Sequence, residues 1–483
     1  MGSFDADFPT DGSRFGGQKP SVLQALVPLV GVVVFLGVGS GVLGLAPHGP
    51  LLWSIVLTGL VGRYWMDLSF EELYDGVEDS LAMGLQAILI ILVIYALIAT
   101  WVSAGTIPGM MYYGLSVLTP TVFLPTTVLL AAVVAFSIGS SWTTAGTLGI
   151  AFVGIGSGLG IPAPMTAGAI LSGAYAGDKQ SPLSDTTNLA AGVTNTDLYD
   201  HIRAMRLGTA LALGVSVAIF AYLGLQTTGT IPAGRVDEIR GTLVGTYDLS
   251  VLVFFPLLVT FGFALYGYPA LSSLIAGVFA GVGTTILLQE PSFTAAWEVF
   301  LNGTTPETGS EAVNSLLASG GLTGSAWTVA VVVAALSLGG LLERTGILAV
   351  LARSLERSIR GASSLVAATG VSAIVVNLFS AQQYMSIAVP GMSLRNLYTE
   401  YGLDSSALSQ AIESAGTPTG ALIPWHAGGV YMASVLGVAT LQYAPYYFFG
   451  YLSPLILFVM AITGRGIATN EGESPATVPT AND

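Results

Sequence analysis

The chain has 483 residues, of which 53% are hydrophobic and only 9% are charged, against about 25% charged residues in a typical soluble domain. It has too few charged side chains to coat a soluble enzyme, and the absence of cysteine excludes disulfides, thiolate zinc sites and thiol nucleophiles. A net charge of −14 disfavours nucleic acid as a partner. This acid excess, with lysine only at Lys19 and Lys179, suggests a proteome adapted to high salt, a halophile.

Long apolar runs recur along the chain from Val22 to Ile462. Since one membrane crossing takes about 20 mostly apolar residues, the runs predict an all-α polytopic membrane protein with about 11–13 transmembrane or half-spanning helices. The first run follows a segment that holds three aspartates. A cleaved signal peptide begins with cationic residues, so we interpret this run as the first membrane helix.

Composition divides the chain into five regions. They are a disordered cytoplasmic N-terminus (residues 1–20), an N-terminal transmembrane region with the first repeat (21–200), connecting helices with an acidic outer loop (201–325), a second repeat with the last helix (326–464) and a disordered C-terminal tail (465–483). Residues 290–326 carry four acids and no Lys or Arg, whereas cations are densest at 201–206 and 344–360. The positive-inside rule therefore places these cationic segments and both termini in the cytoplasm, with the protein in the plasma membrane.

Two halves of the chain repeat one pattern about 240 residues apart. Gly105 and Gly346 each follow an apolar run, and two polar breaks come about 35 and 70 residues after each glycine. By the loop charges, the halves begin on opposite sides of the membrane. Paired interruptions in halves of opposite orientation predict the inverted-topology repeats of a secondary transporter.

The four breaks, at residues 139–146, 177–188, 377–384 and 413–426, mix small residues with Ser, Thr, Asn or Gln. Irregular backbone survives at membrane depth only where it is buried in protein or lines a cavity. Half-helix ends, free carbonyls and hydroxyls are what a desolvated Na⁺ needs. The predicted ion- or substrate-binding residues are Ser140, Ser141, Thr143, Thr144, Asp178, Ser181, Asp185, Thr186, Asn188, Gln382, Glu413 and Thr417.

The second break is the strongest signal, because Pro182 interrupts a helix between two carboxylates, Asp178 and Asp185. Carboxylates at membrane depth are costly and usually functional. A carboxylate binds Na⁺ when ionised and H⁺ when neutral, and competition for one site is the simplest antiport mechanism. Asp185 is the first choice for this exchange and Asp178 the second Na⁺ ligand. The alternative is a solvated cytoplasmic loop.

Supporting roles are expected for Lys179, Asn377 and His426. Lys179 is interpreted as a fixed cation near the acids, or as an interfacial lysine whose amine reaches the membrane surface. His426 is either a proton relay or a buried histidine with its hydrogen bonds satisfied. Glu413 likewise has two interpretations, as a site acid or as an acid that complements a helix dipole.

The second break, Gly177-Asp-Lys-Gln-Ser-Pro-Leu-Ser-Asp-Thr-Thr-Asn188, resembles the signature of the NhaC-type Na⁺/H⁺ antiporters, and the other breaks are similar to further motifs of that family. The resemblance extends from about residue 50 to 460. It implies a homodimer of scaffold and transport domains, with two re-entrant hairpins and two broken helices. Two positions depart from the family pattern, which often has Met at Gln180 and Asn at His426. The family also contains malate/lactate exchangers and amino-acid carriers.

We therefore predict a secondary active antiporter that exports Na⁺ in exchange for H⁺ by alternating access. It is not expected to be an enzyme or to hold a cofactor; Na⁺ and H⁺ are its transported ions and the lipid bilayer its surroundings. The alternative is a Na⁺- or H⁺-coupled carrier of a small carboxylate or amino acid, whose carboxylate would bind half-helix N-termini. Paired breaks in both halves favour either carrier over a channel.

Overall fold

A computed structural model describes residues 20–227, 234–354 and 359–469, and every regular element within these ranges is a helix. This confirms the predicted all-α fold. The predicted disordered tails lie outside the described residues, apart from residue 20 and residues 465–469.

The helices fall into three groups along the chain. The first contains α1 (Val22–Leu36), α2 (His48–Tyr64), α3 (Phe70–Ser103), α4 (Thr106–Val117), α5 (Pro120–Ile138), α6 (Ser141–Gly158), α7 (Ala163–Asp178), α8 (Asp185–Thr194) and α9 (Leu198–Gln226). The connecting group contains α10 (Arg235–Thr246), α11 (Phe255–Leu265), α12 (Ala270–Leu288), α13 (Phe293–Asn302), α14 (Glu311–Leu317) and α15 (Gly321–Gly324). The last contains α16 (Ala326–Arg344), α17 (Ile347–Ser354), α18 (Ala362–Ser380), α19 (Gln383–Glu400), α20 (Ser405–Thr419), α21 (Ala427–Leu436), α22 (Thr440–Tyr443) and α23 (Phe448–Thr463).

Seven of the described helices are long and apolar enough to cross a membrane, or up to nine if each of two sharply bent helix pairs counts as one span. The expected 11–13 segments included half-spanning ones, and these are the helices beside the breaks. For example, α7, α8, α20 and α21 have only 10 to 16 residues. Two segments expected to be loops are partly helical, because residues 201–206 lie in α9 and residues 290–326 contain α13, α14 and α15.

The two halves repeat with an offset of 242 residues, so that adding 242 to the bounds of α5, α6 and α8 gives the bounds of α18, α19 and α21. The left-handed backbone positions follow the same offset. Gly139 has φ 75° and Ala381 has φ 56°, while Gly160 has φ 73° and Gly402 has φ 65°. The spacing predicted from the motifs is therefore a true structural repeat.

The repeats are inverted, as the packing of α3 on α16 demonstrates. These helices are equivalent, since each ends two residues before the left-handed glycine that precedes α4 or α17. Gly76 of α3 contacts the side chain of Arg344, whereas Tyr95, farther along α3, hydrogen-bonds Thr328, near the start of α16. The early part of α3 thus meets the end of α16, and a later part of α3 meets the start of α16, so the two helices run antiparallel.

Each half also packs a short helix against the other half. Helix α8 packs on α19 and α20, and reciprocally α21 packs on α6. Within the first half, α7 lies so close to α5 that a Cβ on Gly173 would be 2.1 Å from the carbonyl oxygen of Val128. Small residues of this kind allow helix backbones to touch. The close contact fixes α7, and with it the position of Asp178 at the helix end.

Candidate functional site

The four breaks meet at one cavity of about 330 Å³. It is lined by the first residues of α6, α8, α19 and α21, together with parts of α3, α11, α12 and α16. The polar and aromatic side chains around it are Gln86, Ser140, Ser141, Trp142, Asp178, Asp185, Thr186, Tyr268, Gln382, Gln383, Tyr384 and His426. Two of the lining side chains are carboxylates, and no described Lys or Arg lines the cavity.

Four helices, α6, α8, α19 and α21, begin at the cavity, and the chain just before each of them is not helical. The Ser140 hydroxyl accepts a hydrogen bond from the backbone N–H of Thr143 at 3.1 Å and caps α6. Ser184 caps α8 in the same way. The start of a helix carries partial positive charge and free N–H groups. The first N–H groups of α6 and α8 already donate to carboxylates of the protein, so it is the starts of α19 and α21 that make the cavity attractive to a negatively charged group.

Asp178 is the last residue of α7 and is 2% exposed. Its Oδ2 accepts a hydrogen bond from the backbone N–H of Ser141 at 3.0 Å, which connects α7 to the start of α6. Its Oδ1 is buried and has no hydrogen-bond partner among the described residues. A buried carboxylate oxygen of this kind needs a cation, a proton or a donor from a ligand.

Asp185 is the first residue of α8 and is accessible from the cavity. Its Oδ1 accepts a hydrogen bond from the backbone N–H of Thr186 at 2.8 Å, and its Oδ2 accepts one from the Tyr384 hydroxyl at 2.5 Å. Tyr384 belongs to α19, so this contact joins the two repeats. Both oxygens of Asp185 are thus oriented by protein donors.

Glu413, Lys179 and Thr417 lie behind the cavity and do not line it. Glu413 is fully buried, and its Oε1 accepts a hydrogen bond from the Thr186 hydroxyl at 3.2 Å. The Lys179 ammonium donates to the hydroxyls of Ser414 and Ser453 at 3.3 and 3.1 Å. Lys179 is therefore a buried lysine within the protein, as in the fixed-cation interpretation, and not an interfacial one.

His426 uses both ring nitrogens in fixed hydrogen bonds. Its Nδ1 accepts from the backbone N–H of Gly428 at 2.9 Å, so that Nε2 carries the proton and donates to Asn377 Oδ1 at 3.0 Å. The Asn377 amide in turn donates to Thr419 and to the carbonyl of Gly416. This arrangement corresponds to the buried histidine whose hydrogen bonds are satisfied.

The remaining predicted residues serve the breaks in other ways. Thr144 donates to the carbonyl of Ser140, and Thr143 supplies the N–H that Ser140 caps. The Ser181 hydroxyl accepts from the backbone N–H of Leu183. Asn188 is exposed and its amide donates to the carbonyls of Pro182 and Ser184, outside the cavity lining.

Tyr384 and Trp142 belong to the site but were not predicted from the sequence. Trp142 lines the cavity and stacks on Tyr431 with ring centroids 4.4 Å apart, and Tyr431 donates to the carbonyl of Trp142 at 2.8 Å. Trp142 lies in the break at residues 139–146 and Tyr384 in the break at residues 377–384. Their position among the polar residues of these breaks is the sequence signal that could have indicated a role in the site. Among the described residues no group of three or more His, Asp or Glu side chains could hold a metal ion.

Residues 173–465 match the model of the Na⁺/H⁺ antiporter family. The chain is 53% identical to the arginine/ornithine antiporter ArcD of Halobacterium salinarum, over 92% of this chain and 93% of that protein. It is 34% identical to the Na⁺/H⁺ antiporter NhaC of Alkalihalophilus pseudofirmus, over 94% of this chain and 98% of that protein. It is 33% identical to the malate-2H⁺/Na⁺-lactate antiporter of Bacillus subtilis, over 83% of this chain and 86% of that protein.

Proposed function

Because the chain belongs to the Na⁺/H⁺ antiporter family, we propose that it is an antiporter that exchanges small basic amino acids across the membrane by alternating access. The observation that carries this proposal is the combination of two carboxylates and four helix N-termini around one cavity. A basic amino acid has a carboxylate at one end and a cationic side chain at the other, so it can use both features.

The size of the cavity supports an organic cargo. Pockets that hold small organic molecules begin at about 300 Å³, and this cavity measures about 330 Å³. An ion without its water fills only a small part of such a volume. Trp142, Tyr268 and Tyr384 add aromatic surface, against which an alkyl or guanidinium group packs favourably.

The charges of the cavity wall support a cargo with a cationic side chain. Asp178 presents an oxygen without a protein partner, and Asp185 stands beside it at the same cavity. Because no described Lys or Arg lines the cavity, these acids are not neutralised from its walls. The carboxylate of the cargo is then left to the starts of α19 and α21, which carry the partial positive charge of a helix N-terminus.

The relatives also favour amino-acid exchange over sodium or malate exchange. The arginine/ornithine antiporter is 53% identical to this chain, whereas the two relatives named for sodium or malate exchange are 34% and 33% identical. Inverted halves that share an interface fit alternating access, in which one half moves against the other around a central site.

Na⁺/H⁺ exchange is the second candidate, and the unpartnered Asp178 oxygen favours it. Together with the buried Ser141 hydroxyl, which also has no hydrogen-bond partner among the residues described, it offers oxygen ligands of the kind that Na⁺ binds. A proton on the same carboxylate would exclude the ion.

Purified protein in liposomes separates the two candidates. Vesicles loaded with unlabelled L-ornithine are placed in labelled L-arginine, at equal Na⁺ and pH on both sides. The proposal predicts that internal ornithine strongly accelerates uptake of label over vesicles that contain no amino acid. Absence of this counterflow, together with proton movement driven by a Na⁺ gradient, would refute amino-acid exchange and establish the second candidate.

A further inference from the structure

Helix α20 carries a continuous buried row of polar residues, here called the α20 polar row. Its members are Ser406, Ser409, Gln410, Glu413, Ser414 and Thr417. Their spacing of three and four residues places them on one side of the helix. From Ser406 to Glu413 the row extends about 10 Å at 1.5 Å per residue. Polar rows inside a membrane protein are costly and are associated with ion or proton pathways.

One end of the row is near the end of the protein where α9 and α20 both begin. His201, in the first turn of α9, is fully buried, and its Nδ1 lies 2.8 Å from the Ser409 hydroxyl. Ser409 donates its own proton to the carbonyl of Ser406, so the Nδ1 atom of His201 is the donor. Its Nε2 is then an acceptor, and no residue in the described part of the chain hydrogen-bonds it. The next turn of α9 carries the exposed Arg203.

The other end of the row reaches the cargo cavity. Glu413 is joined through its Oε1 to Thr186, which lines the cavity, while its Oε2 is buried and accepts no hydrogen bond from the residues that the structure describes. Between the two ends, Gln410 is 1% exposed, and its Oε1 likewise has no hydrogen-bond partner within the described ranges. Unpartnered buried atoms at this spacing can hold bridging waters, and hydroxyls and waters together can conduct a proton.

The charges that face Glu413 and His201 come mainly from α7. Lys179 is fixed by Ser414 and Ser453 and lies within Coulombic range of both groups; its charge favours the ionised Glu413 carboxylate and opposes a positive charge on the His201 ring. Asp178 also lies within range of Glu413. No ion pair within 4.0 Å joins Lys179 to Glu413 among the described residues. Lys179 thus stabilises negative charge on Glu413 from a distance and leaves Oε2 accessible to a proton.

We propose that Glu413 is a proton-binding site separate from the cargo site, and that protons reach it from His201 along the α20 polar row and not through the cavity. A proton arrives at His201 Nε2 as the proton on Nδ1 leaves for Ser409, so the imidazole stays neutral. Ser409 releases its own proton to the next water or polar atom of the row, and the last transfer neutralises the Glu413 carboxylate. Through Thr186, the charge on Glu413 is coupled to Asp178 and Asp185, the two carboxylates that line the cavity. This inference rests on the proposed function, since it supplies the proton coupling of that transport.

The test uses two measurements on the same liposomes. Arginine/ornithine counterflow reports cargo exchange, which balances without protons. Fluorescence of a trapped pH dye, with arginine on one side only, reports protons that move with net cargo flux. The variants are His201→Gln and Gln410→Leu, which remove a proton-carrying atom and a polar step, with Glu413→Gln as the end of the route. Thr260→Val, a fully buried hydroxyl of α11 away from the row, is the matched control.

In the wild type we expect net arginine flux to carry protons. His201→Gln should keep counterflow and slow proton movement by about 100-fold, the low end of the loss when a positioned proton-transfer group is removed. Gln410→Leu should act in the same direction, Glu413→Gln should abolish the coupled proton, and Thr260→Val should change nothing. The route is wrong if the wild type moves no protons or if His201→Gln moves them at the wild-type rate. It is also wrong if His201→Gln loses counterflow and proton movement to the same extent.

Failure of the proposed cargo gives a different pattern. Wild-type vesicles would then lack arginine counterflow but would move protons when a Na⁺ gradient is applied. In that case the same variants are measured with Na⁺ as the driving cargo. Loss of Na⁺-driven proton movement in His201→Gln would support the route, and an unchanged rate would overturn it.

Discussion

The substitution Asp178→Asn tests the cargo assignment most directly. The amide oxygen of asparagine can still accept the hydrogen bond that the Ser141 N–H makes at 3.0 Å, so the contact between α7 and α6 is retained. What is lost is the negative charge on the side of Oδ1, the oxygen that no described residue hydrogen-bonds. The substitution therefore removes a cargo contact with little change to the fold.

The expected loss can be estimated from buried charge pairs. Removing one partner of such a pair costs about 2–5 kcal/mol, and the low end applies here because Asp185 remains at the same cavity. A loss of about 2 kcal/mol weakens binding roughly 30-fold, since about 1.4 kcal/mol corresponds to a factor of ten. Citrulline, which has arginine's shape without its charge, should lose much less affinity than arginine.

The assay is equilibrium binding of labelled L-arginine to the purified protein, with citrulline as competitor. The matched control is Asp75→Asn, an acid with 51% of its side chain exposed that pairs with Arg344 at 3.6 Å, and it should bind arginine as the wild type does. If Asp178→Asn binds arginine with wild-type affinity, or if arginine and citrulline lose affinity equally, Asp178 does not receive the cationic group and the reasoning from its free oxygen is wrong.

Three further outcomes are expected. Tyr384→Phe removes the hydroxyl that orients Asp185 at 2.5 Å; hydrogen bonds to charged groups contribute about 1.5–3 kcal/mol, so the KM of arginine counterflow should rise at least about tenfold, and an unchanged KM would contradict this role. Gly173→Ala drives a methyl group into the α5 backbone, whereas Gly214→Ala meets nothing within 4 Å; thermal unfolding in detergent should show a loss of about 1–3 kcal/mol only for the first. Ala381→Gly, at φ 56°, should raise the same melting temperature, because a left-handed conformation costs an L-residue about 1–2 kcal/mol; a lower value would refute the strain.

The breaks could be predicted from the sequence because their cause is local. A helix in hydrocarbon needs every backbone group paired, so Gly, Ser and Pro within apolar runs mark the places where it ends. The positions of Ser140 and Gln382 illustrate this, since each precedes the first residue of a helix at the cavity. The repeat was predictable for the same reason, since both halves use the same break pattern.

The partners of the buried charges could not be predicted, because they depend on how the two halves cross. Lys179 reaches Ser453, 274 residues away in the chain, and Glu413 meets Thr186 across 227 residues. His201 was assigned to a cationic loop because its neighbours include arginines. Its burial against Ser409 follows from the packing of α9 on α20, and no short-range pattern reports that contact.

The symmetry of the backbone and the asymmetry of the charges together suggest how the proposed cargo lies in the cavity. The offset of 242 residues makes Asp185 equivalent to Ala427, and Asp178 equivalent to Gly420. The first half therefore places one carboxylate at the start of α8 and another, from the end of α7, against the first N–H of α6. The second half presents neutral side chains such as Gln382 at the corresponding ends. A cationic side chain is stabilised against the first half, and a carboxylate against the second, where no acid opposes the helix dipoles. A molecule with both charges would thus bridge the two repeats, and their relative movement would carry it across.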